Sequence, residues 1–275
     1  MKQKTQIIIA LLLLGLLSSC SIERKLAREF VQSNNKGAVL IFSPEYVFKK
    51  SLKEEEIENP EQYTEDQLDS VLFYRSQFLQ SLDDSIFLVK LVNQYIDDLK
   101  AFGFDIYTQD YIDLFMEKDT NSWVINMAQI EVEEYTYPYE FEEMVGYETY
   151  AVSIDLDALN CNAWFEINPV NKPERQKVLF ATHYIMDDLY GQFRQNVLSG
   201  KVKFEYSIDS LYIKDIYEFA EVLGAEYAHY TLNYLMNKFI DEQIIDENYK
   251  PEYLQYDPAS RQFYKDPEDG FEVME

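Results

Sequence analysis

The chain has 275 residues, and its 50 acidic side chains outnumber the 24 basic ones, which gives a formal net charge of −26. A body so acidic repels phosphate backbones, and this excludes nucleic acid as a partner because such binding depends on Lys and Arg. Downstream of residue 20 the glycines lie at least nine residues apart, so a Gly-rich phosphate loop is also excluded. The composition therefore predicts neither nucleotide nor cofactor chemistry.

The first segment carries an apolar run over residues 7–17, preceded by Lys2 and Lys4. As a helix this run is ~16 Å long, too short for a hydrocarbon core of ~30 Å. A charged start, an apolar middle and small residues after it are typical of a secretory signal peptide, which we place at residues 1–19.

Leu17-Ser18-Ser19-Cys20 resembles the lipobox of bacterial lipoproteins. The resemblance implies cleavage before Cys20 and acylation of its thiol; the alternative is an ordinary signal peptide with an incidental cysteine. Several acyl chains would hold the protein stably at a membrane. Ser21 follows the lipidated position, which predicts an outer-membrane lipoprotein whose body faces the periplasm.

Residues 20–35 form the membrane-proximal segment after this anchor. Ile22, Leu26 and Phe30 recur every four positions, with three basic residues between them. This spacing predicts a short amphipathic helix. It lies either at the lipid head groups or against the domain that follows.

Residues 36–245 are predicted to form a single α/β domain. A β-rich run over 37–44 precedes helices at 66–82 and around 88–102, a strand at 104–108, a short helix at 109–118 and a strand at 122–135. Strands alternating with helices favour parallel βαβ pairing in this N-terminal half, with a central strand covered on both faces.

The second half changes to strand-like runs without intervening helices, at residues 147–156, 159–168, 177–186 and 201–206. These runs predict antiparallel strands that either extend or face the same sheet. A long C-terminal helix is expected over 213–240, with the buried stripe Ile216, Ala220, Leu223, Tyr227, Tyr230 and Tyr234. The polar tail, residues 246–275, has no periodicity and is expected to be extended or partly disordered.

Few side chains suit nucleophilic or metal chemistry, and no dedicated metal site is predicted. Cys161 shares a strand face with apolar residues and is expected to be a buried small hydrophobe. His183 also alternates with apolar residues, which indicates a hydrogen-bonded core position. His229 is expected on a solvated helix face, where Glu226 could share a metal with it.

Glu131 and Glu133 are the only acids that we single out as candidate catalytic residues. They fall on one side of a strand, ~6.6 Å apart, within the range of paired acids in glycoside hydrolases. A half-exposed strand end would produce the same pattern. If the protein is an enzyme, these acids predict a carboxylate-based hydrolase of cell-surface glycan.

The stretches "INMAQIEVEEY", "WFEIN", "YSIDSLYIKDIYEFAEVLG" and "LNYLMNKFI" resemble a group of uncharacterised lipoproteins from the Bacteroidetes, over about residues 36–245. The resemblance implies an envelope location and a lipid anchor, and it transfers no catalytic residue. We therefore expect a non-enzymatic, lipid-anchored envelope protein that binds another envelope protein or a glycan.

Overall fold

The computed structural model describes residues 21–34, 36–118, 121–170, 177–244, 249, 251–265 and 270–274. The predicted signal peptide, residues 1–19, and the predicted lipidation site Cys20 lie outside the described residues. The helices are α1 (Ile22–Gln32), α2 (Glu65–Arg75), α3 (Asp84–Ala101), α4 (Ile112–Met116) and α5 (Ile213–Gln243). The strands are β1 (Ala38–Phe42), β2 (Phe48–Ser51), β3 (Asp105–Thr108), β4 (Ser122–Val145), β5 (Glu148–Pro169), β6 (Val178–Met186), β7 (Asp188–Gln195), β8 (Val202–Asp209), β9 (Gln255–Asp257), β10 (Gln262–Tyr264) and β11 (Glu272–Met274).

A mixed sheet with the order β11-β6-β5-β4-β1-β3 forms the frame of the protein, and the predicted mixed α/β class is confirmed. β1 pairs in parallel with both β3 and β4, whereas β4, β5, β6 and β11 are antiparallel. β2 joins β4 further along, so the connection from β1 to β3 holds a strand as well as two helices. The predicted βαβ order therefore describes only part of this connection.

The strand β1 is buried on both faces, as its apolar run predicts. Val39 and Ile41 belong to the main core under α3 and α5. Ala38 and Leu40 point the other way and pack with Phe115 of α4 in a second small core. α4 thus covers one end of the sheet face that is opposite to the long helices.

The strands β4 and β5 form one hairpin whose pairing runs from Trp123–Pro169 to Val145–Glu148. The prediction of two separate runs, 147–156 and 159–168, was wrong. Asp157 and Ala158, which lie between the two runs, do not form a turn, because they stay in register with Thr136 and Tyr135 of β4. β5 therefore continues through them as a single strand.

The helix predicted over 66–82 ends early, at Arg75. The Gln77 and Phe78 N–H groups donate to the side chain of Glu134 instead of to helix carbonyls, at 2.8 and 3.0 Å. The chain beyond Ser76 consequently leaves the helix and buries Phe78 and Leu79 in the main core.

The long C-terminal helix is confirmed as α5, and it packs beside α3 on the main core. The predicted stripe is buried from Ile216 to Tyr230, and Tyr234 is partly buried at its end. The Tyr95 hydroxyl of α3 and the Thr231 hydroxyl of α5 are hydrogen-bonded at 2.9 Å. The two helices are thus joined by a polar contact inside an apolar interface.

The helix predicted within residues 20–35 exists as α1, and it packs on the domain rather than standing free. Ala27 and Phe30 are buried, and the Phe30 ring lies 5.5 Å from that of Phe239 on α5. Ile22, expected in the apolar stripe, is mostly exposed. Of the two placements that the sequence leaves open, packing against the domain is the one observed.

The described part of the predicted polar tail packs on α5 rather than being disordered. Asn237 of α5 donates to the Leu254 carbonyl at 2.7 Å and accepts from the Leu254 N–H at 2.9 Å. Asn233, one turn earlier, accepts from the Tyr256 N–H at 2.9 Å. Further along, β11 pairs with β6 as an edge strand. A ladder of buried amides therefore holds a segment that looks unstructured by periodicity.

We expect Asn237→Ala to loosen this segment, because it removes both partners of a buried Leu254 peptide group. The cost is ~1–3 kcal/mol of unfolding free energy, and amide exchange at Leu254 and Tyr256 is expected to rise at least ~10-fold. Hydrogen exchange with mass spectrometry measures this change. Asn93→Ala, at an exposed position of α3, is the matched control; equal protection of the segment in both variants would contradict the prediction.

Candidate functional site

The open sheet face is the surface of β4, β5 and β6 that points away from α3 and α5. Alternation along β4 places Glu131 and Glu133 on it, since Ile130 and Val132 point into the core. The strand register puts Asn162 opposite Glu131 and Asn160 opposite Glu133, and Thr182 follows opposite Asn162 on β6. Five polar side chains from three strands therefore meet on one face.

These side chains form one hydrogen-bonded network, which we call the polar row. The Asn160 and Asn162 amides both donate to the same Glu133 oxygen, at 3.2 and 2.9 Å. The Thr182 hydroxyl lies 2.8 Å from the Asn160 amide oxygen and 2.9 Å from that of Asn162. Among the described residues, Glu131 has only a long contact of 3.4 Å, from Gln129. These hydrogen bonds hold the two amides in fixed orientations.

Aromatic rings lie at both ends of the polar row. Trp164 and Phe180, neighbours on β5 and β6, have ring centroids 5.2 Å apart at the Glu131 end. At the Glu133 end Tyr184 is 62% exposed and stands opposite Asn160. Burial, together with Tyr184, Tyr137 and the Glu133 carboxylate, raises the pKa of the Tyr135 hydroxyl. Tyr135 therefore remains a neutral hydrogen-bonding group at physiological pH.

The two candidate catalytic acids are brought onto one surface, but they do not face each other. Glu131 and Glu133 are two residues apart on one strand, so both approach a ligand from the same side. Glycosidases place their carboxylates on either side of the bond that is cleaved. The arrangement suits contacts with hydroxyl groups better than acid and base attack from opposite faces.

The amides of the polar row were missed in the sequence analysis, although the signal was there. The same alternation that buries Cys161 places Asn160, Asn162 and Trp164 together on the opposite face. Thr182 could not be added from the sequence, because its place depends on the register between β5 and β6.

A second group of charged side chains lies on the core side of the sheet, where Lys53 and Glu134 are buried and Asp157 is partly buried. The Lys53 ammonium lies 2.5 Å from Asp157 and 3.2 Å from Glu134, whose carboxylate is fully buried. Burial alone lowers the pKa of Lys53, but its contacts with the two carboxylates outweigh burial and raise the pKa. We interpret this cluster as structural, since it joins β2, β4 and β5 where the hairpin leaves the sheet.

Beyond this cluster the β4–β5 hairpin continues as a two-stranded ribbon, residues 136–157. We call this ribbon and the β7–β8 hairpin, taken together, the arm. Phe141 of the ribbon lies 6.0 Å from Phe193 and 5.3 Å from Phe204, measured between ring centroids. A Cβ atom on Gly191 would lie 2.2 Å from the Phe204 ring, so glycine is required beneath it. The two hairpins are therefore held together by an aromatic core of their own.

The tip of the arm presents apolar side chains to solvent. Val197 and Leu198, in the turn between β7 and β8, are 97% and 98% exposed. The Asn196 side chain accepts from the N–H groups of Leu198 and Ser199, at 2.9 and 3.1 Å. The turn is thus fixed by local hydrogen bonds, while its two apolar side chains remain exposed to solvent.

The two histidines and the free cysteine have structural surroundings. His183 stacks on Tyr230 with ring centroids 5.7 Å apart, on the core side of β6. His229 is half-buried and hydrogen-bonds the Tyr256 carbonyl, so the expected solvated position was wrong. The physical reason is that the tail lies along this face of α5. Cys161 is buried beside the Tyr227 hydroxyl, as predicted.

Burial raises the pKa of the Cys161 thiol to about 12. At pH 8 only about one thiol in ten thousand is then ionised, and the thiolate is the reactive form. We expect iodoacetamide to leave Cys161 unlabelled in the native protein and to label it fully in urea, as read by peptide mass spectrometry. Thr182→Cys in a Cys161→Ser background is the exposed control; rapid native labelling at Cys161 would contradict the assigned burial.

In the described part of the chain, no cluster of three or more His, Cys, Asp or Glu side chains is arranged to hold a metal ion. The helices among the described residues are all too short or too polar to cross a bilayer. Comparison of the chain with models of protein families and with curated proteins gives no match.

Proposed function

We propose that this protein is a lipid-anchored, non-enzymatic component of the bacterial cell envelope that binds another envelope protein through the tip of its arm. The lipid anchor would be carried by Cys20, and the body would face the periplasm. The observation that carries the proposal is the exposed Val197–Leu198 pair on a turn fixed by hydrogen bonds. Apolar side chains presented in this way favour a binding surface.

The direction of the arm supports a protein partner over the anchoring membrane. α1, which follows the proposed anchor, packs near the start of β3 through the Phe30–Phe104 contact. The arm tip lies at the other end of β4, ~75 Å further along the strand at ~3.3 Å per residue. The tip would therefore reach away from the membrane that holds Cys20.

The small apolar area at the tip also argues against entry into a lipid surface. The charges around the tip are mixed, since Glu140 and Glu142 lie exposed on the ribbon and Lys201 and Lys203 lie exposed on the hairpin that carries the tip. So small an apolar area gives little affinity for a bilayer. An apolar socket on a protein surface fits the pair at the tip better.

The test is a photo-crosslinking amino acid at Leu198 in cells that make the lipidated protein. We expect one crosslinked species of constant mass that contains a second protein, and its loss when Val197→Ser is added. A crosslinker at Tyr74, exposed on α2, should not give that species. Crosslinks to lipid only, to a second copy only, or equally from both positions would refute the proposed contact.

The anchor is tested separately, by mass spectrometry of the amino-terminal peptide of the native protein. Acylation at Cys20 is expected, and Cys20→Ala should move the protein into the soluble fraction. An unmodified amino terminus upstream of residue 20, or well beyond it, would remove the anchor from the proposal.

The alternative function is hydrolysis of cell-surface glycan by Glu131 and Glu133. The side-by-side placement of these acids favours this alternative less than a binding role. If a hydrolytic activity is measured, Glu131→Gln and Glu133→Gln should each abolish it; retention of the activity in both variants would eliminate these residues as its catalysts.

A further inference from the structure

The proposed role of the arm does not explain the polar row, although the side chains of the row form one hydrogen-bonded network. Asn162 is mostly buried by its neighbours, yet its amide takes part in three hydrogen bonds with side chains of the same face. A surface that served only to meet water would not need amides fixed by a carboxylate and a hydroxyl. Pre-orientation of this kind lowers the entropic cost of binding a ligand.

The hydrogen-bonding capacity of the row indicates what it would bind. Glu133 accepts through one carboxylate oxygen, and its other oxygen makes no hydrogen bond with the described residues. Among those residues, Glu131 has only its long contact with Gln129. Lys50 of β2 stands opposite Glu133 on the same face and brings one positive charge. The two carboxylates outnumber it, so the row offers mainly acceptors with a net negative charge, and a ligand must donate hydrogen bonds and must not be anionic. Neutral sugars present many hydroxyl donors and meet both requirements.

The rings at the two ends add the apolar part of such a site. From Phe180 to Tyr184 is four residues along β6, ~13 Å at ~3.3 Å per residue. The polar row thus lies between two aromatic surfaces, a spacing that suits a short sugar chain rather than one monosaccharide. The apolar faces of sugar rings can pack on Trp and Tyr rings while their hydroxyls reach polar groups.

We propose that the open sheet face between the Trp164–Phe180 pair and Tyr184 binds a neutral oligosaccharide, whose hydroxyl groups contact Glu133, Asn160, Asn162 and Thr182. The ligand is held and not cleaved, because the two acids lie on the same side of it. This site is distinct from the arm tip, and it does not depend on the proposed protein partner.

The test is native affinity electrophoresis of the full mature protein in gels that contain one polysaccharide each. The neutral probes are dextran, mannan, xylan, starch and xyloglucan, and the anionic probes are polygalacturonate and chondroitin sulfate. We expect retardation by at least one neutral polysaccharide and by neither anionic one. Tyr184→Ala and Glu133→Gln should each weaken that retardation about tenfold, while Tyr74→Ala, a matched exposed tyrosine on α2, should leave it unchanged.

A folding control and three possible results decide whether the sheet face binds a neutral glycan. Tyr184 is exposed, so its replacement should leave the fold intact, and circular dichroism checks this. The proposal is overturned if no neutral polysaccharide retards the protein, if the two variants bind like the parent, or if the bound glycan is shortened. Val197→Ser with Leu198→Ser should not alter retardation, so the arm and the sheet face can fail independently.

Discussion

Glu134→Ala is expected to lower the free energy of unfolding by about 3–5 kcal/mol. The Glu134 carboxylate is fully buried and accepts from the N–H groups of Gln77 and Phe78, besides its contact with Lys53. Removing it leaves two peptide donors without a partner, at ~1–3 kcal/mol each when buried. Lys53 retains Asp157, which limits the loss.

Equilibrium unfolding in urea measures this change, and Glu142→Ala supplies the control. Glu142 lies on the same strand, is exposed, and its loss is expected to stay within ~0.5 kcal/mol. The stability of Glu134→Gln should fall between those of the two variants. The amide oxygen can still accept from one of the N–H groups, but the amide NH2 group would face the other, a donor against a donor. A Glu134→Ala protein as stable as Glu142→Ala would show that this cluster does not support the fold.

Periodicity predicted the elements whose partners are local in sequence. The stripe on α5 and the burial of β1 follow from spacing alone, because a helix or strand with an apolar face must cover it. The end of α2 was not predictable in this way. It depends on Glu134, which is 57 residues from Gln77 along the chain.

The candidate surfaces were predictable only in part, for the same reason. Glu131 and Glu133 were found because they are two residues apart on one strand, but their partners come from β5 and β6 through the sheet register. The arm was hidden because its aromatic residues are spread over two hairpins that meet only in three dimensions. Likewise, the polar tail gave no sign that buried asparagines on α5 would hold it.

Gly224→Ala is expected to destabilise the protein, although alanine favours a helix over glycine by ~1 kcal/mol. A Cβ atom at residue 224 would lie 2.3 Å from the Leu91 carbonyl oxygen and 3.0 Å from the Tyr95 backbone nitrogen. Both atoms belong to the backbone of α3, so relief requires the two helices to move apart. That movement would stretch the contact between Tyr95 and Thr231, which is 2.9 Å long.

We therefore expect a net loss of about 2–3 kcal/mol, because overpacking a tight interface outweighs the gain in helix propensity. Urea unfolding measures the net effect, and Val222→Ala tests propensity alone, since Val222 is exposed on the same helix. That control should be neutral or slightly stabilising. If Gly224→Ala instead matched or exceeded the parent protein in stability, α3 and α5 could not lie as close together as the distances at Gly224 indicate.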